Sequence, residues 1–279
     1  MNYLSKLRLI EEKIIKNQGS GIVGIFDSGV GGLTTFDIIK NSRDVIYTGD
    51  TAHFPYGEKS EDQIQRLVIN RILDLLDRNA EHIGIACNTA SIAFAKLKPN
   101  NFIKSKIIGT IECTSKYLST TNAHIIGVIG THYTVNSKAY SKNIKMYDKE
   151  DKVYILESAE QELVVNIEKG HDQKIKSEVE RISKFFKLKN IDTFILGCTH
   201  YSHIKNYFET HLDNKVNIVD PSEILAKEIL KNTKSSKIPS HQVLFTGNKP
   251  ELSGLLTKYD ALILKSKIYI KISNKVEIS

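Results

Sequence analysis

Ile83-Gly-Ile-Ala-Cys87-Asn-Thr89-Ala-Ser91 and Phe194-Ile-Leu-Gly-Cys198-Thr-His200-Tyr-Ser202 are two versions of one local design. Each runs from an apolar stretch through a small residue to a cysteine. A hydroxyl residue follows within two positions, and a serine stands four positions after the cysteine. An unbroken apolar run ahead of a helical pattern reads as a strand buried on both faces, the kind found in parallel sheets. The two cysteines lie 111 residues apart, too far for a solenoid period. The spacing suits two similar halves, each with a cysteine at the same point of the same unit.

Outward from these stretches the strand–turn–helix unit recurs. Strands are expected at 22–26, 45–48, 82–86, 106–110, 124–129, 152–156, 194–196, 216–219 and 243–246. Helices are expected at 33–40, 61–78, 89–97, 135–140, 159–168, 173–187 and 222–231, with a short one at 252–256. Asp220-Pro-Ser-Glu223 has the form of a helix start, with Asp as N-cap, Pro first and Glu third. Leu4, Leu7, Ile10, Ile14 and Ile15 give residues 3–17 an amphipathic helical face. The stretch 231–240, KNTKSSKIPS, reads as a polar linker, and the alternation across 261–278 as an edge strand or hairpin. Alternating strands and helices define the α/β class with parallel sheets flanked by helices.

Composition narrows the function. The 279 residues are 41% apolar and 25% charged, which excludes wholesale disorder. The net charge of +7 comes mostly from lysines spread along the chain without aromatic interleaving, so a solvated basic surface is favoured and nucleic acid disfavoured. Three cysteines are too few for a disulfide scaffold and fit a reducing compartment. No run approaches the ~18 apolar residues that span a bilayer. Glu11 and Glu12 interrupt any signal-peptide core. The expected location is cytoplasmic, with no membrane partner.

In open parallel sheets, ligands bind beyond the carboxyl ends of the strands. Cys87 and Cys198 sit there, each ahead of a helix whose N-terminus is expected to draw the thiol pKa down toward neutrality. Two such thiols on opposite faces of one carbon allow one to remove a proton while the other supplies one. The outcome is inversion of a stereocentre without a cofactor. Cys113 has no matching unit and reads as structural. Cys198, His200 and His203 also have zinc-ligand chemistry, but no second Cys/His pair has finger-like spacing. A redox pair lacks the C-x-x-C spacing.

The turn Asp27-Ser28-Gly29-Val30-Gly31-Gly32 departs from G-x-G-x-x-G and lacks a P-loop lysine. Its amides and the Ser28 hydroxyl suit a small carboxylate, while Asp27 suits an ammonium group or a nearby thiol. Asn88, Thr89 and Thr199 have the chemistry of helix caps, and collected around two thiols they form a neutral donor set for a small zwitterion.

The strings GIFDSGVGGLT centred on 24–34, DTAHFPYGEKS at 50–60, IACNTAS at 85–91, GTHYTVNSKAY at 130–140 and LGCTHY at 196–201 resemble the glutamate racemases of the aspartate/glutamate racemase family, in order and approximate spacing. The resemblance covers about residues 21–260. It implies two pseudo-symmetric α/β domains with the active site between them, and cofactor-independent interconversion of L- and D-glutamate for bacterial peptidoglycan. It implies Cys87 as the base for D-glutamate and Cys198 as the base for L-glutamate, with Asp27, His200 and Glu168 as polar helpers. Glu168 stands before Lys169-Gly170 in a segment without the family's upstream Cys-Pro. Substrate contacts map to Asp27, Ser28, Tyr56, Gly57, Asn88, Thr89, Thr134, Thr199 and His200. The division expected is 1–20 as a helical extension, 21–115 with 222–279 as the first domain, and 116–221 as the second. Partners implied are glutamate, a nucleotide-linked peptidoglycan precursor as activator, and a second copy of the chain; no metal is expected. Aspartate racemase shares the two-cysteine logic, although DSGVGG and PYG are more typical of the glutamate enzymes. A non-catalytic binding protein on this fold is the alternative of a different class.

Overall fold

The computed structural model describes residues 2–148, 152–250, 254–265 and 267–268. In chain order the elements begin with α1 (Tyr3–Lys16), β1 (Val23–Asp27), α2 (Leu33–Ile39), β2 (Val45–Gly49), α3 (Glu61–Asp77), β3 (His82–Ile85), α4 (Asn88–Lys96), α5 (Asn101–Lys106), β4 (Ile107–Gly109) and α6 (Thr110–Leu118). They continue with β5 (Ile125–Gly130), α7 (His132–Ser137), α8 (Ala139–Tyr147), β6 (Tyr154–Ala159), α9 (Gln161–Glu168), α10 (Asp172–Lys187), β7 (Thr193–Gly197), α11 (Lys205–His211), β8 (Asn217–Val219), α12 (Pro221–Asn232), β9 (His241–Phe245), α13 (Asp260–Lys265) and β10 (Lys267–Ile268).

The strands form two sheets, in the orders β10-β9-β2-β1-β3-β4 and β6-β5-β7-β8. Every pairing is parallel. β1, β2 and β7 are buried at every residue, as strands covered by helices on both faces must be. β3 and β7 hold equivalent places beside β1 and β5, so the repeated cysteine unit emerges at matched points of the two sheets. One apolar cluster crosses both halves through α6, α8 and α12, where Ile111, Leu118, Tyr140, Ile144, Leu225 and Ile229 meet.

The local chemistry explains the boundaries. Ser60 and Gln63 close a reciprocal capping box at the start of α3. Asn2 caps α1, whose Leu7, Ile10 and Ile14 are buried in the cluster that also holds α3 and the Ile103 side chain of α5. Asp220 caps α12 with Pro221 first in the helix, as expected. Glu223, however, reaches Lys205 at 2.7 Å, an ion pair with another element.

Other expectations need correction. The helix expected at 135–140 is two helices, α7 and α8, broken at Lys138, whose φ of 55° is left-handed. The polar stretch 231–240 is tied down, since the Arg43 guanidinium donates to Thr233, Ser235 and the Leu230 carbonyl. Part of the helix expected at 252–256 lies outside the described residues, and 254–259 form a 3₁₀ turn. Where an edge strand was expected over 261–278, residues 260–265 are helical and only 267–268 pair, parallel to β9; 266 and 269–279 lie outside the described residues.

Candidate active site

Cys87 follows β3 and occupies the N-cap position of α4, without a side-chain capping bond. Cys198 follows β7 and precedes a six-residue 3₁₀ turn, Thr199–Ile204, where an α-helix was expected. Both sulfurs belong to residues 7% exposed, and both residues line one small cavity. Ser28, Tyr56, Gly57, Asn88, Thr89, Thr199 and His200 line it too. Sequence reasoning missed Phe54, Pro55, Thr131, Gln161, Val164 and Gly197, which complete the wall. Pro55 lay inside a recognised string, whereas Gln161 and Val164 follow β6 with no motif to signal them.

The cavity measures about 30 Å³. That holds little more than a water molecule and is far below the ~300 Å³ of an ordinary ligand pocket. Larger clefts lie elsewhere, but the thiols and convergent donors are here. One of about 470 Å³ adjoins the site, with Phe54 lining both and Glu168 lining the outer one.

On the Cys198 side, three groups form a chain. His200 Nε2 meets Glu168 Oε1 at 2.9 Å, and its Nδ1 lies 3.8 Å from Cys198 Sγ. Burial opposes charge on this ring, but the bonds to Cys198 and Glu168 outweigh it and hold the imidazole well above its ordinary value. A charged His200 donates one N–H to the carboxylate and turns the other toward the sulfur. The Phe54 ring lies 5.8 Å from the His200 ring.

On the Cys87 side, the Ser28 hydroxyl donates to the sulfur at 3.4 Å. The expectation of a lowered thiol pKa fails here. Burial, then the Asp27 charge, push the Cys87 thiol up to about 12, beyond what the bonds from Ser28 and the Ala90 amide recover. Cys87 is therefore a neutral thiol at neutral pH.

Asp27 stands behind the cavity wall. Its carboxylate accepts from the Gly29 amide at 2.8 Å and from the Thr199 hydroxyl of the opposite half at 3.2 Å. Burial raises its pKa, against the opposing pull of His200 and these bonds. Gly31 is required by this crossing, since a Cβ there would lie 2.2 Å from Thr199 Oγ1. Thr134 also stands behind the wall, 3.1 Å from the Thr131 hydroxyl; Thr131 itself faces the cavity. Asn88 Oδ1 accepts from Tyr140 at 2.7 Å, leaving Nδ2 buried without a partner among the described residues. Tyr56 donates to the buried Asp50 carboxylate at 2.6 Å, which also accepts from Thr246, so the PYG turn is fastened to the end of β9.

Cys113 does not line this cavity and bonds its own helix at the Thr110 carbonyl. His203 is buried with both ring nitrogens unpartnered among the described residues, and burial drives its pKa down to about 3. Among the described residues no group of three or more His, Cys, Asp or Glu side chains is arranged to hold a metal ion. No described helix is long and apolar enough to cross a membrane.

Residues 39–229 match the family model described as Asp/Glu/Hydantoin racemase. Glutamate racemase of Aquifex pyrophilus is 37% identical over 240 residues, covering 84% of this chain and 92% of that protein. The crystal structure of glutamate racemase from Francisella tularensis in complex with D-glutamate superposes with a TM-score of 0.75 at 29% identity, covering 91% of this chain and 98% of that one. The Escherichia coli glutamate racemase in complex with L-glutamate and the activator UDP-MurNAc-Ala gives 0.64 at 26% identity, covering 82% and 90%.

Proposed function

Because the chain belongs to the Asp/Glu/hydantoin racemase family and, within it, to the glutamate racemases, which are amino-acid isomerases, we propose that it interconverts L- and D-glutamate by a 1,1-proton transfer between Cys87 and Cys198. The observation that carries this reading is that the two thiols, from matched strand ends of two sheets, line one cavity.

Transfer needs one sulfur without its proton and the other with it. The surroundings of Cys87 fix its half of that division, and those of Cys198 offer a donor to its sulfur. Cationic His200 turns an N–H toward Cys198, while burial keeps Cys87 protonated. In this state the Cys198 thiolate takes the α-proton of L-glutamate. A carbanion forms, and the Cys87 thiol delivers its proton to the opposite face, giving D-glutamate. Cys198 is then the thiol and Cys87 the thiolate, so the reverse reaction runs from Cys87. Ser28, by donating to Cys87 Sγ, supports the sulfur when it carries charge. The Asn88 amide, the Thr89 and Thr131 hydroxyls and the backbone of Tyr56-Gly57 supply donors for the substrate carboxylates.

The product suits supply of D-glutamate for peptidoglycan in the cytoplasm. The Escherichia coli relative's activator makes a nucleotide-linked peptidoglycan precursor a candidate effector here as well. Such a nucleotide should bind the full chain and fail to bind a 21–279 truncation if the extension forms its site; equal binding would reject that role for the extension.

The test of the reaction is racemisation of either pure enantiomer in deuterated buffer without pyridoxal phosphate. Optical rotation should decay with deuterium entering the α-carbon. Cys87→Ser and Cys198→Ser should each abolish racemisation. Full turnover in either variant would refute the two-thiol mechanism, and racemisation of aspartate in preference to glutamate would reassign the substrate.

A further inference from the structure

We infer that Tyr140 is a positioning residue for this reaction, one side chain that spans the two thiol-bearing strand ends and orients the Asn88 amide toward the substrate. The inference rests on the glutamate racemase reading above and extends it to a residue outside the cavity wall.

Tyr140 lies in the first turn of α8, two residues after the left-handed Lys138. The side chain is 1% exposed. Its ring lies against Gly197, the residue before Cys198; a Cβ on that glycine would meet Tyr140 Cε2 at 3.1 Å. Its hydroxyl donates to Oδ1 of Asn88, the residue after Cys87, at 2.7 Å. The same tyrosine therefore touches the end of β7 just before one sulfur and the start of α4 just after the other.

The hydrogen bond also decides which end of the Asn88 amide remains available. With Oδ1 engaged, the remaining group is Nδ2, which is buried and has no partner among the described residues, on a residue that lines the cavity. Buried donors are nearly always paired, so one left unpaired at a cavity wall is set for an acceptor that arrives with the ligand. A substrate carboxylate oxygen is that acceptor. Burial, followed by nearby negative groups, holds the Tyr140 phenol well above its ordinary pKa, so it remains a donor throughout the working pH range.

A core tyrosine with no such role would matter only through its ring. Tyr140→Phe keeps the ring and removes the hydroxyl, and a double-mutant cycle with Asn88→Ala isolates the coupling. Tyr140→Phe should lower kcat/KM for both enantiomers about tenfold in the native background, and by less than about twofold in Asn88→Ala. An equal loss in both backgrounds, or no loss in the first, would overturn the inference. A second measurement is independent of turnover. The side-chain amide resonance of Asn88, identified by its disappearance in Asn88→Ala, should shift in Tyr140→Phe. If the native protein fails to racemise glutamate, the functional reading falls, and this resonance still decides the tie: an unmoved signal would refute it.

Discussion

His200 is the residue on which the charge distribution of the site turns. Its pKa is raised in the folded chain relative to the ordinary value of 6.5. The stabilisation from its bonds is therefore complete below about pH 6.5 and is lost as pH rises through the folded value. Glu168→Gln removes the charge that faces Nε2. We expect its destabilisation, measured by urea unfolding, to be larger at pH 6 than at alkaline pH; a pH-independent difference would contradict the assignment. The same variant should lower kcat/KM roughly tenfold to a hundredfold. The loss must be equal for the two enantiomers, because their equilibrium constant is unity and no variant can change it. The cysteines offer a complementary readout. Alkylating reagents attack thiolates, and Cys87, pushed up to about 12, holds almost none at neutral pH. Iodoacetamide should label Cys198 ahead of Cys87, as followed by peptide mass spectrometry; the reverse order would contradict a protonated Cys87.

At the scale of elements, α1 illustrates how much a periodic pattern conveys. Leu7, Ile10 and Ile14 were legible as one helical face, and they are the buried residues of α1, while Leu4 and Ile15 stand exposed. The chain beyond Gly21 carries the whole catalytic apparatus proposed above. Ile10→Ala should therefore cost about 2–4 kcal/mol of stability, seen as a lowered melting temperature, with kcat unchanged. A fall in kcat at full occupancy of the folded state would tie the extension to catalysis instead. Strands were legible because apolar runs between turn residues have few alternatives. Helix breaks were less so. The turn at Lys138 has no glycine or proline to announce it, and a left-handed φ is uncommon for a lysine. The 3₁₀ turn after Cys198 likewise has no sequence mark that separates it from the α-helix after Cys87.

At the scale of the whole molecule, the two halves meet across the cavity through short polar ties: Asp27 to Thr199, Asn88 to Tyr140, and Thr89 facing Thr131 at 3.5 Å. With about 30 Å³ between the walls, glutamate enters only if they part. Gly57 and Thr131 face each other across this junction, and a Cβ built on Gly57 lies 3.6 Å from that of Thr131, a separation that fits a disulfide. In the double variant Gly57→Cys, Thr131→Cys, oxidation should abolish racemisation and reduction should restore it to the level of the unoxidised sample. Continued turnover in the fully oxidised protein would show that the walls need not separate there.

The sequence by itself determined the α/β class, the parallel sheets and the matched cysteine units, because strand burial and helix periodicity are written into local apolar spacing. It also placed Cys87 and Cys198 at strand ends, since small and hydroxyl residues mark where those strands stop. Only the tertiary structure decided that both sulfurs border one cavity, that Glu168 meets His200, and that Tyr140 reaches across to Asn88. Those contacts join residues from 32 to 111 positions apart. It also decided the sign of the Cys87 shift: a helix N-terminus favours the thiolate, but burial beside Asp27 outweighs it, and burial is a property of the assembled fold.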